Sequence, residues 1–376
     1  MKIALFTDSF LPGIGGTENV VLRLAKELSK EHSVMVFAPD YHRPYEENLQ
    51  LPFKVFRAKS IAFTKNECWA LPSLTKNIVK VLDEFKPDIL HTHTIGMMAG
   101  FANSYGKKNN IPVVCTVHTN FRACYKNVLK INLFVKILLA HVIKRANKAD
   151  RVCSVSYKMI EELKSYGLKG KQVTIVRNGF EKPIEKEIIK EQNEKFTLLF
   201  VGMLADYKNI AFSLKCLKEL KKMRSDFVFY IVGRGPQEKK FKKLVKKFGL
   251  GEEVIFTGAI TDKEQLKKIY GKSDLFLFTS LIDNDALVLM EAAQRETPSL
   301  VIEKTGSSER FTNDKTGFIV ENDQKAVAKK IDELMEDREK LHTVGKNAKT
   351  VVVTWDKVSE EYLDIYKEEI EKKKIK

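Results

Sequence analysis

Short apolar segments alternate with amphipathic segments along almost the whole chain, and this alternation constrains the fold more than any other feature. The apolar segments are rich in β-branched and aromatic residues, and the amphipathic segments between them run for about a dozen residues or more. A strand, a helix and a further strand in this order form the unit from which parallel sheets are built. The sequence therefore predicts an α/β fold with parallel sheets.

The predicted strands fall into two series. The first series is Ile3–Thr7, Val34–Ala38, Ile89–Thr92, Val113–Val117, Val152–Val155 and Thr174–Val176. The second series is Thr197–Val201, Phe227–Val232, Val254–Thr257, Leu275–Phe278 and Ser299–Ile302. The charge-dense segment Glu181–Lys195 between them is predicted to be a linker region. We therefore expect two Rossmann-like, doubly wound domains, residues 1–180 and 181–355, with ligands bound in a cleft at the carboxyl ends of the strands.

The end of the chain carries a third kind of pattern. After Trp355, the side chains Tyr362, Ile365, Tyr366 and Ile370 recur at helical spacing. The spacing predicts a terminal helix over residues 356–376. A length of 376 residues leaves room for two to three domains of ordinary size, and each of them can bury a core of its own.

Charge and cysteine content narrow the classes of function. The chain has 65 Lys and Arg against 49 Asp and Glu, so its formal charge is +16, which favours an anionic partner. A nucleic acid is not expected, because no basic and aromatic residues interleave as they do in known binding modules. Five cysteines without a CxxC pair predict neither a disulfide framework nor a zinc site and suit a reducing cytoplasm. No signal peptide or membrane-spanning segment is predicted.

Two features of the first half follow predicted strands. Gly13–Glu18 joins the first strand to a helix, and glycines there let the backbone approach a ligand while the helix N-terminus faces an anion. A tight turn without a ligand is the alternative. His118 ends the strand Val113–Val117, where it can exchange a proton, form hydrogen bonds or serve a structural role. His91 and His93 share one strand face, but no third ligand accompanies them, so no metal site is expected.

The second half repeats this arrangement three times. Val201–Asn209, with Lys208, and Ile231–Pro236, with Arg234, are loops that contain glycine and follow strands. The third and densest group, 283–293, follows the strand Leu275–Phe278. If a helix begins near Asp285, its N–H groups can hold a phosphate between the carboxylates of Asp283 and Glu291, which suits the recognition of sugar hydroxyls. An N-cap aspartate with one buried glutamate is the alternative.

Taken in order, these motifs resemble the retaining glycosyltransferases of GT-B family 4. The resemblance covers essentially the whole chain and includes Arg177-Asn178-Gly179-Phe180 before the linker. It implies a second domain that holds a nucleotide-sugar, a first domain that holds the acceptor, and a terminal helix that crosses back onto the first domain. It also implies hexose transfer with retention, without a metal and without a further cofactor.

The resemblance implies a role for each matching residue. Five residues would bind the donor's phosphates or nucleotide from the second domain: Lys208 at the diphosphate, Arg234 as a further cation, Leu287 and Val288 at the helix start, and Glu291 at the ribose hydroxyls. Gly15 and Gly16 would approach the donor phosphate from the first domain. The catalytic pair would be His118, near the reaction centre, and Asp283, at the donor-sugar hydroxyls.

The chain departs from the family pattern at three positions. Asp283 replaces a glutamate, Ala286 replaces a glycine, and Met203 replaces an arginine that pairs with the donor phosphate. Losing that arginine removes a charge-assisted contact of about 1.5–3 kcal/mol. A catalytically decayed donor-binding or regulatory subunit is therefore an alternative. Asp283-Asn284-Asp285 also matches a DxD metal motif, but GT-B enzymes use cations and helix dipoles at the diphosphate instead.

The acceptor is the least determined partner. Residues 128–145 are apolar with interspersed lysines, which suits a helix in an acidic membrane interface, although a helix of the domain core has the same pattern. The resemblance extends to diacylglycerol glucosyltransferases in the region of His118. We therefore expect glucose transfer from a UDP-sugar to a lipid such as diacylglycerol, by an enzyme at the inner face of the plasma membrane. A polysaccharide or another soluble acceptor is the alternative.

Overall fold

A computed structural model describes residues 1–13, 15–41, 50–62, 68–118, 132–169, 172–182 and 194–375, with the backbone alone for 132–136. The chain forms two compact units. Unit 1 comprises Met1–Gly179 and Thr354–Lys376, and unit 2 comprises Phe180–Val353. The domain boundaries expected from the sequence, after residues 180 and 355, differ from the ends of these units by one and two residues. Most of the expected linker, 183–193, lies outside the described residues.

Unit 1 is built on a parallel sheet with strand order β3-β2-β1-β6-β7-β8-β9 and a separate antiparallel hairpin, β4-β5. The strands are β1 Lys2–Phe6, β2 Ser33–Pro39, β3 Lys54–Ala58, β4 Ser60–Ala62, β5 Cys68–Ala70, β6 Ile89–Thr92, β7 Val113–Val117, β8 Arg151–Ser154 and β9 Val173–Ile175. The helices are α1 Gly16–Leu28, α2 Ile78–Phe85, α3 Met97–Asn109, α4 Asn132–Ala146 and α5 Tyr157–Ser165. The central strands β6 and β7 are buried along their whole length, as expected for a parallel sheet that is covered on both faces.

Unit 2 repeats this plan with strand order β12-β11-β10-β13-β14-β15, and every pairing is parallel. The strands are β10 Phe196–Val201, β11 Phe227–Val232, β12 Val254–Gly258, β13 Leu275–Phe278, β14 Ser299–Ile302 and β15 Phe318–Val320. The helices are α6 Ile210–Leu220, α7 Glu238–Lys247, α8 Lys263–Lys272, α9 Leu287–Ala293, α10 Gln324–Glu336 and α11 Arg338–Ala348. Both units are therefore doubly wound α/β folds.

The last helix, α12 (Trp355–Ile375), follows unit 2 in the chain but belongs to unit 1. Its buried side chains bond to three strands of the sheet in unit 1. Tyr366 Oη lies 2.6 Å from His91 Nδ1, and Tyr362 Oη lies 3.0 Å from Thr116 Oγ1. Glu369 accepts a hydrogen bond from the buried Arg151 at 2.9 Å. These polar contacts tie α12 to strands β6, β7 and β8.

Helix α4 contains the described part of the segment that was a candidate for membrane insertion. Residues 128–131 lie outside the described residues. Leu139, Val142 and Ile143 are buried, and the last two belong to the hydrophobic core of unit 1, whereas Ile137 is 58% exposed. The three buried side chains cannot insert into a bilayer without unfolding the unit. The expectation that these three residues belong to an interfacial helix is therefore wrong. They belong to a helix of the domain core, which was the alternative.

Candidate functional site

A mostly buried ion pair lies at the carboxyl ends of two neighbouring strands of unit 2. Lys208 Nζ donates to both carboxylate oxygens of Asp283, at 2.8 and 2.9 Å. Both side chains are mostly buried, with 15% and 20% of their surface exposed. Lys208 follows β10 and Asp283 follows β13, and these strands pair directly. The structure thus brings together one expected diphosphate ligand and one expected catalytic residue, 75 positions apart in the chain.

The turn that carries Lys208 is fixed by bonds to the loop after β13. It is one turn of 3₁₀ helix, Asp206–Lys208, followed by Asn209 in the left-handed conformation at φ 58°. Asn209 Nδ2 donates to the carbonyl of Thr279 at 3.0 Å, and Ser280 Oγ donates to the carbonyl of Tyr207 at 3.2 Å. Asparagine tolerates this conformation better than most residues. The position of the ammonium group therefore depends on both loops.

The glycine loop after β11 packs against the loop after β10. A Cβ at Gly233 would collide with the carbonyl of Gly202, and Gly233 has φ +141°, so glycine is required there on both grounds. Arg234 is exposed next to this contact, with its guanidinium beside Gly258 of β12. Met203, at the position expected to hold an arginine, is 53% exposed. The exposed Arg234 is therefore a cation at the same edge of the sheet.

Asp285 lies before helix α9 and not at its start, where the sequence predicted it. Its carboxylate accepts three hydrogen bonds from the guanidinium of Arg310, at 2.6–2.8 Å, and both side chains are almost fully buried. Arg310 also donates to the carbonyl of Val351 at 2.8 Å. Helix α9 begins at Leu287, two residues later than expected, with Ala286 as its N-cap and Val288 in its first turn. Asp285 is a structural anchor, and the DxD reading is wrong for it because its oxygens are engaged by Arg310.

Glu291 lies in α9 and is held by a residue of the neighbouring helix. Tyr270 Oη of α8 donates to Glu291 Oε2 at 2.7 Å. Burial raises the pKa of Glu291, the Tyr270 hydrogen bond lowers it, and the charge of Glu181 raises it further. Sequence reasoning missed Tyr270, because the two residues are 21 positions apart and lie in separate helices.

In unit 1, His118 belongs to a row of three histidines at the carboxyl ends of β6 and β7. His118 Nε2 lies 3.2 Å from His93 Nδ1, and the rings of His93 and His91 are 4.1 Å apart. Burial lowers the pKa of His118 to about 4 and the pKa values of His91 and His93 well below the usual 6.5. His118 is therefore neutral near pH 7, so it acts as a hydrogen-bonding group and not as a cation.

Gly15 and Gly16 occupy the start of α1, as expected. Gly15 is the N-cap residue, and a Cβ there would collide with the carboxylate of Glu18. Asp8, which follows β1 at the same sheet edge, was missed by sequence reasoning. It accepts a hydrogen bond from the backbone N–H of Met98 at 3.0 Å and a second one from Thr94, and it thereby caps α3. Burial raises the pKa of Asp8, with partial compensation by these bonds.

Metal-ligand clusters and membrane-spanning helices are both absent from the described residues. Within the described residues, His, Cys, Asp and Glu side chains form no group of three or more that could hold a metal ion. A helix with the length and apolar character needed to cross a bilayer does not occur in the described part of the chain either.

The chain matches two protein-family models, one for each half. Residues 14–182 match Glycosyltransferase Family 4, and residues 181–351 match Glycosyl transferases group 1. Similar curated proteins include the alpha-monoglucosyldiacylglycerol synthase of Acholeplasma laidlawii, which is 25% identical over 93% of this chain and 92% of its own. The GDP-mannose-dependent alpha-mannosyltransferase of Corynebacterium glutamicum is 25% identical over 80% of this chain and 72% of its own.

Solved structures with the same fold include Anabaena HepE in complex with UDP. It is 18% identical, with a TM-score of 0.77 over 98% of this chain and 100% of its own. Sucrose-phosphate synthase from Thermosynechococcus elongatus gives a TM-score of 0.74 at 17% identity, over 98% of both chains. These likenesses confirm the expected GT-B fold, and the two family models leave few residues unmatched. The chain belongs to the GT-B glycosyltransferases of group 1 and family 4, which transfer a sugar from a nucleotide-sugar.

Proposed function

We propose that this chain transfers a hexose, with retention of its anomeric configuration, from a UDP-sugar to a lipid acceptor such as diacylglycerol. The observation that carries the proposal is the ion pair of Lys208 and Asp283 at the sheet edge of unit 2. A mostly buried ammonium group can bind a diphosphate. The carboxylate bonded to it can accept hydrogen bonds from the hydroxyls of the sugar attached to that diphosphate. Glu291, in α9 of the same unit, would accept hydrogen bonds from the ribose.

Metal-independent catalysis and the absence of a further cofactor are parts of this proposal. The leaving diphosphate carries negative charge that has to be stabilised as the glycosidic bond breaks. Lys208 and Arg234 would supply two cations, and the backbone N–H groups of Leu287 and Val288 would add the start of α9. The second carboxylate of the Asp283-Asn284-Asp285 motif is engaged by Arg310. Asp285 therefore does not share a divalent ion with Asp283 in this proposal.

In unit 1, Gly15 and Gly16 would approach the donor phosphate, and His118 would accept or donate a hydrogen bond at the transferring sugar. A neutral imidazole can do either, because one ring nitrogen carries a proton and the other does not. The lipid acceptor is supported by the alpha-monoglucosyldiacylglycerol synthases of Streptococcus pneumoniae and Acholeplasma laidlawii, both 25% identical to this chain. The UDP donor is supported by HepE, which has the same fold and was solved with UDP.

A lipid acceptor requires contact with a membrane, and we assign this contact to a hairpin patch in unit 1. The hairpin patch consists of Ile61, Trp69 and Leu74, which are 57%, 68% and 64% exposed. Ile61 and Trp69 are directly opposite on strands β4 and β5. Leu74 ends a 3₁₀ turn that is tied to the hairpin, because Leu71 N–H donates to the carbonyl of Lys59 at 2.6 Å. Exposed apolar side chains that lie next to each other, as Ile61 and Trp69 do, commonly mark an interaction surface.

Charge complementarity favours an anionic membrane as the partner of the hairpin patch. The exposed Lys59 and Lys76 flank the patch in the chain, and the whole protein carries a formal charge of +16. A tryptophan and lysines together suit the interface of an anionic bilayer. The hairpin follows the carboxyl end of β3, and His118 follows the carboxyl end of β7. Both therefore lie at the same end of the parallel sheet. Docking there would place the lipid hydroxyl at the functional edge of unit 1.

The proposed activity is tested with the purified full chain and a panel of UDP-glucose, UDP-galactose and GDP-mannose. Released nucleotide is measured with vesicles that contain diacylglycerol and an anionic lipid, with the same vesicles without diacylglycerol, and with excess chelator. We expect diacylglycerol-dependent release from a UDP-hexose that persists in chelator, and an α-linked product by NMR. Nucleotide release that is the same with and without diacylglycerol would overturn the lipid acceptor. Nucleotide binding without any transfer would favour the decayed subunit.

A further inference from the structure

We propose that Tyr270 is the positioning residue that holds Glu291 in the orientation needed to read the ribose hydroxyls of the nucleotide. The inference rests on the proposed function, in which Glu291 accepts hydrogen bonds from the ribose. Tyr270 would not touch the nucleotide itself. Its hydroxyl donates to Glu291 Oε2 at 2.7 Å, from a helix that carries none of the expected donor-binding residues.

Tyr270 can orient a carboxylate because its own position is fixed on several sides. The side chain is buried, and its ring lies 5.6 Å from the ring of Phe276 in β13. Its carbonyl accepts a hydrogen bond from Thr297 Oγ1 at 2.6 Å, just before β14. The tyrosine is therefore held by the sheet that also carries Asp283. A rigid donor restricts the rotation of the glutamate side chain, which otherwise has three rotatable bonds.

The bond also determines which carboxylate oxygen faces a ligand. A phenol is a donor at neutral pH and an ionised carboxylate only accepts, so the direction of the Tyr270–Glu291 bond is fixed. Oε2 is engaged, and Oε1 is left as the main acceptor for the ribose. Two hydroxyls on adjacent ribose carbons can reach one carboxylate only in a narrow range of orientations. Loss of Tyr270 should therefore weaken recognition of the ribose more than recognition of the diphosphate.

Electrostatics supports the same role. Burial and the charge of Glu181 both raise the pKa of Glu291, and the Tyr270 hydrogen bond lowers it. Tyr270 on α8 and Glu181 at the start of unit 2 are the titratable groups that act on this carboxyl. Tyr270→Phe removes the contribution that lowers the pKa. The fall in nucleotide affinity on acidification should then begin at a higher pH than in the wild type.

The test compares two ligands that differ only at the ribose, UDP and 2′,3′-dideoxy-UDP, by calorimetry on the full chain. GDP and its dideoxy analogue are run in parallel. In Tyr270→Phe we expect the Kd for UDP to rise about three- to tenfold and the Kd for dideoxy-UDP to stay within about twofold. The ratio of the two constants is measured within one variant, so a partly unfolded preparation does not change it. A merely structural role would weaken both ligands equally.

A matched control exists in unit 1. Tyr105 Oη donates to Asp83 Oδ1 at the same distance, 2.7 Å, and the two helices that carry these residues contain none of the expected nucleotide ligands. Tyr105→Phe should leave both constants unchanged. Glu291→Gln should lower the preference for UDP over dideoxy-UDP, and adding Tyr270→Phe to it should have no further effect, because the two residues act as one unit.

Two outcomes separate this inference from the proposed function. If Glu291→Gln lowers the ribose preference and Tyr270→Phe does not, Glu291 reads the ribose without help from Tyr270, and the inference fails alone. If Glu291→Gln leaves the preference intact in a chain that binds UDP, the role of Glu291 fails and the inference fails with it. Equal weakening of both ligands by Tyr270→Phe also overturns the inference.

Discussion

At the scale of single residues, Lys208 and Asp283 each determine how available the other is to a ligand. Lys208 is the expected diphosphate cation held in a mostly buried position. Lys208→Ala should lower kcat/KM for the nucleotide-sugar by about 100-fold or more, since a preorganised charge at a leaving group contributes on this scale. The measurement is steady-state transfer with the donor varied.

A control for Lys208 comes from the same unit. Lys330 Nζ pairs with Asp314 at 2.9 Å with a similar exposed fraction, 18%, and lies over the ring of Phe318, as Lys208 lies over the ring of Phe278. Lys330→Ala should keep kcat/KM within about twofold. Equal losses in the two variants would show that Lys208 acts through stability and not through the donor.

Asp283 and Glu291 should separate sugar transfer from nucleotide binding. Asp283→Ala releases the ammonium group of Lys208, so the affinity for the nucleoside diphosphate should stay the same or rise, while kcat falls by about 100-fold. Glu291→Ala should raise the Kd for the nucleotide about tenfold, which corresponds to about 1.4 kcal/mol. Calorimetry with the nucleoside diphosphate distinguishes the two. A matching loss of affinity in both variants contradicts separate roles.

How far these residues could be found from the sequence depends on how each one is positioned. Lys208 and Asp283 lie in loops that follow strands, and Glu291 lies in the helix that follows the second of these loops. Their places are therefore set by local patterns that a sequence displays. Tyr270 bonds to Glu291 from 21 positions away, and Arg310 bonds to Asp285 from 25 positions away. No local pattern specifies such contacts. Only the tertiary fold shows that Asp285 is bound to Arg310, although its sequence neighbourhood resembles a metal motif.

At the scale of elements, the hairpin patch and not α4 should govern membrane binding. Ile61→Ser with Trp69→Ser should lower the affinity for anionic vesicles at least tenfold, because burying each side chain contributes about 1.5–3 kcal/mol. Raising the salt concentration should weaken wild-type binding, since Lys59 and Lys76 are exposed. Co-sedimentation with vesicles that contain or lack an anionic lipid measures both effects.

Tyr157 provides the control for the hairpin experiment. It is an aromatic residue of unit 1 with a similar exposed fraction, 65%, at the start of α5. Tyr157→Ser should leave vesicle binding unchanged. Binding that is independent of anionic lipid, or equally reduced in both variants, would remove the hairpin patch as the docking surface.

The histidine row should make the stability of the chain sensitive to acid. Burial holds the pKa of His118 at about 4 and those of His91 and His93 well below 6.5, whereas an unfolded chain binds protons at about 6.5. Their contribution is present above about pH 6.5 and is lost as the pH falls, by up to about 1.4 kcal/mol per pH unit for each histidine. Urea unfolding at pH 7.5 and 5.5 measures the loss.

A variant isolates this contribution from that of the carboxylates. His93→Phe removes one titrating group from the row while keeping an aromatic ring. Its free energy of unfolding should fall less between pH 7.5 and 5.5 than that of the wild type. An unchanged pH dependence would show that the buried histidines do not set the acid sensitivity.

The predicted strands include the half-buried β9 and the partly exposed β12, and the strands that were missed are one edge strand and three short ones. Strands β6, β7, β11, β13 and β14 have the predicted bounds. The edge strand β3 and the short strands β4, β5 and β15 were missed. β3 is half-buried along most of its length, and the others span three residues each, so neither periodicity nor an apolar run marks them. Two residues of the hairpin patch, Ile61 and Trp69, lie on two of these strands.

At the scale of the whole molecule, the two units differ in how the chain builds them. The core of unit 2 is drawn entirely from residues 196–351, which form one continuous segment. A fragment of residues 180–353 should therefore fold and bind the nucleoside diphosphate. A fragment of residues 1–179 should not fold stably, because His91 and Arg151 lose their partners on α12 and become buried polar groups without them.

The fragment experiment uses circular dichroism and calorimetry. Adding residues 354–376 back to the first fragment through a flexible linker should restore folding. The idea of a discontinuous unit 1 fails if residues 1–179 alone show the cooperative unfolding transition of a folded domain.

The position of α12 in the chain also affects the order of events during synthesis. Unit 1 begins first, but the helix that bonds to His91 and Arg151 emerges from the ribosome only after all of unit 2. At about 5–20 residues per second, the residues of unit 2 take on the order of 10–35 s to translate. During that interval the groove for α12 is open on nascent unit 1, and unit 2 can complete its core first. The second domain to be translated would then be the first to reach its native state.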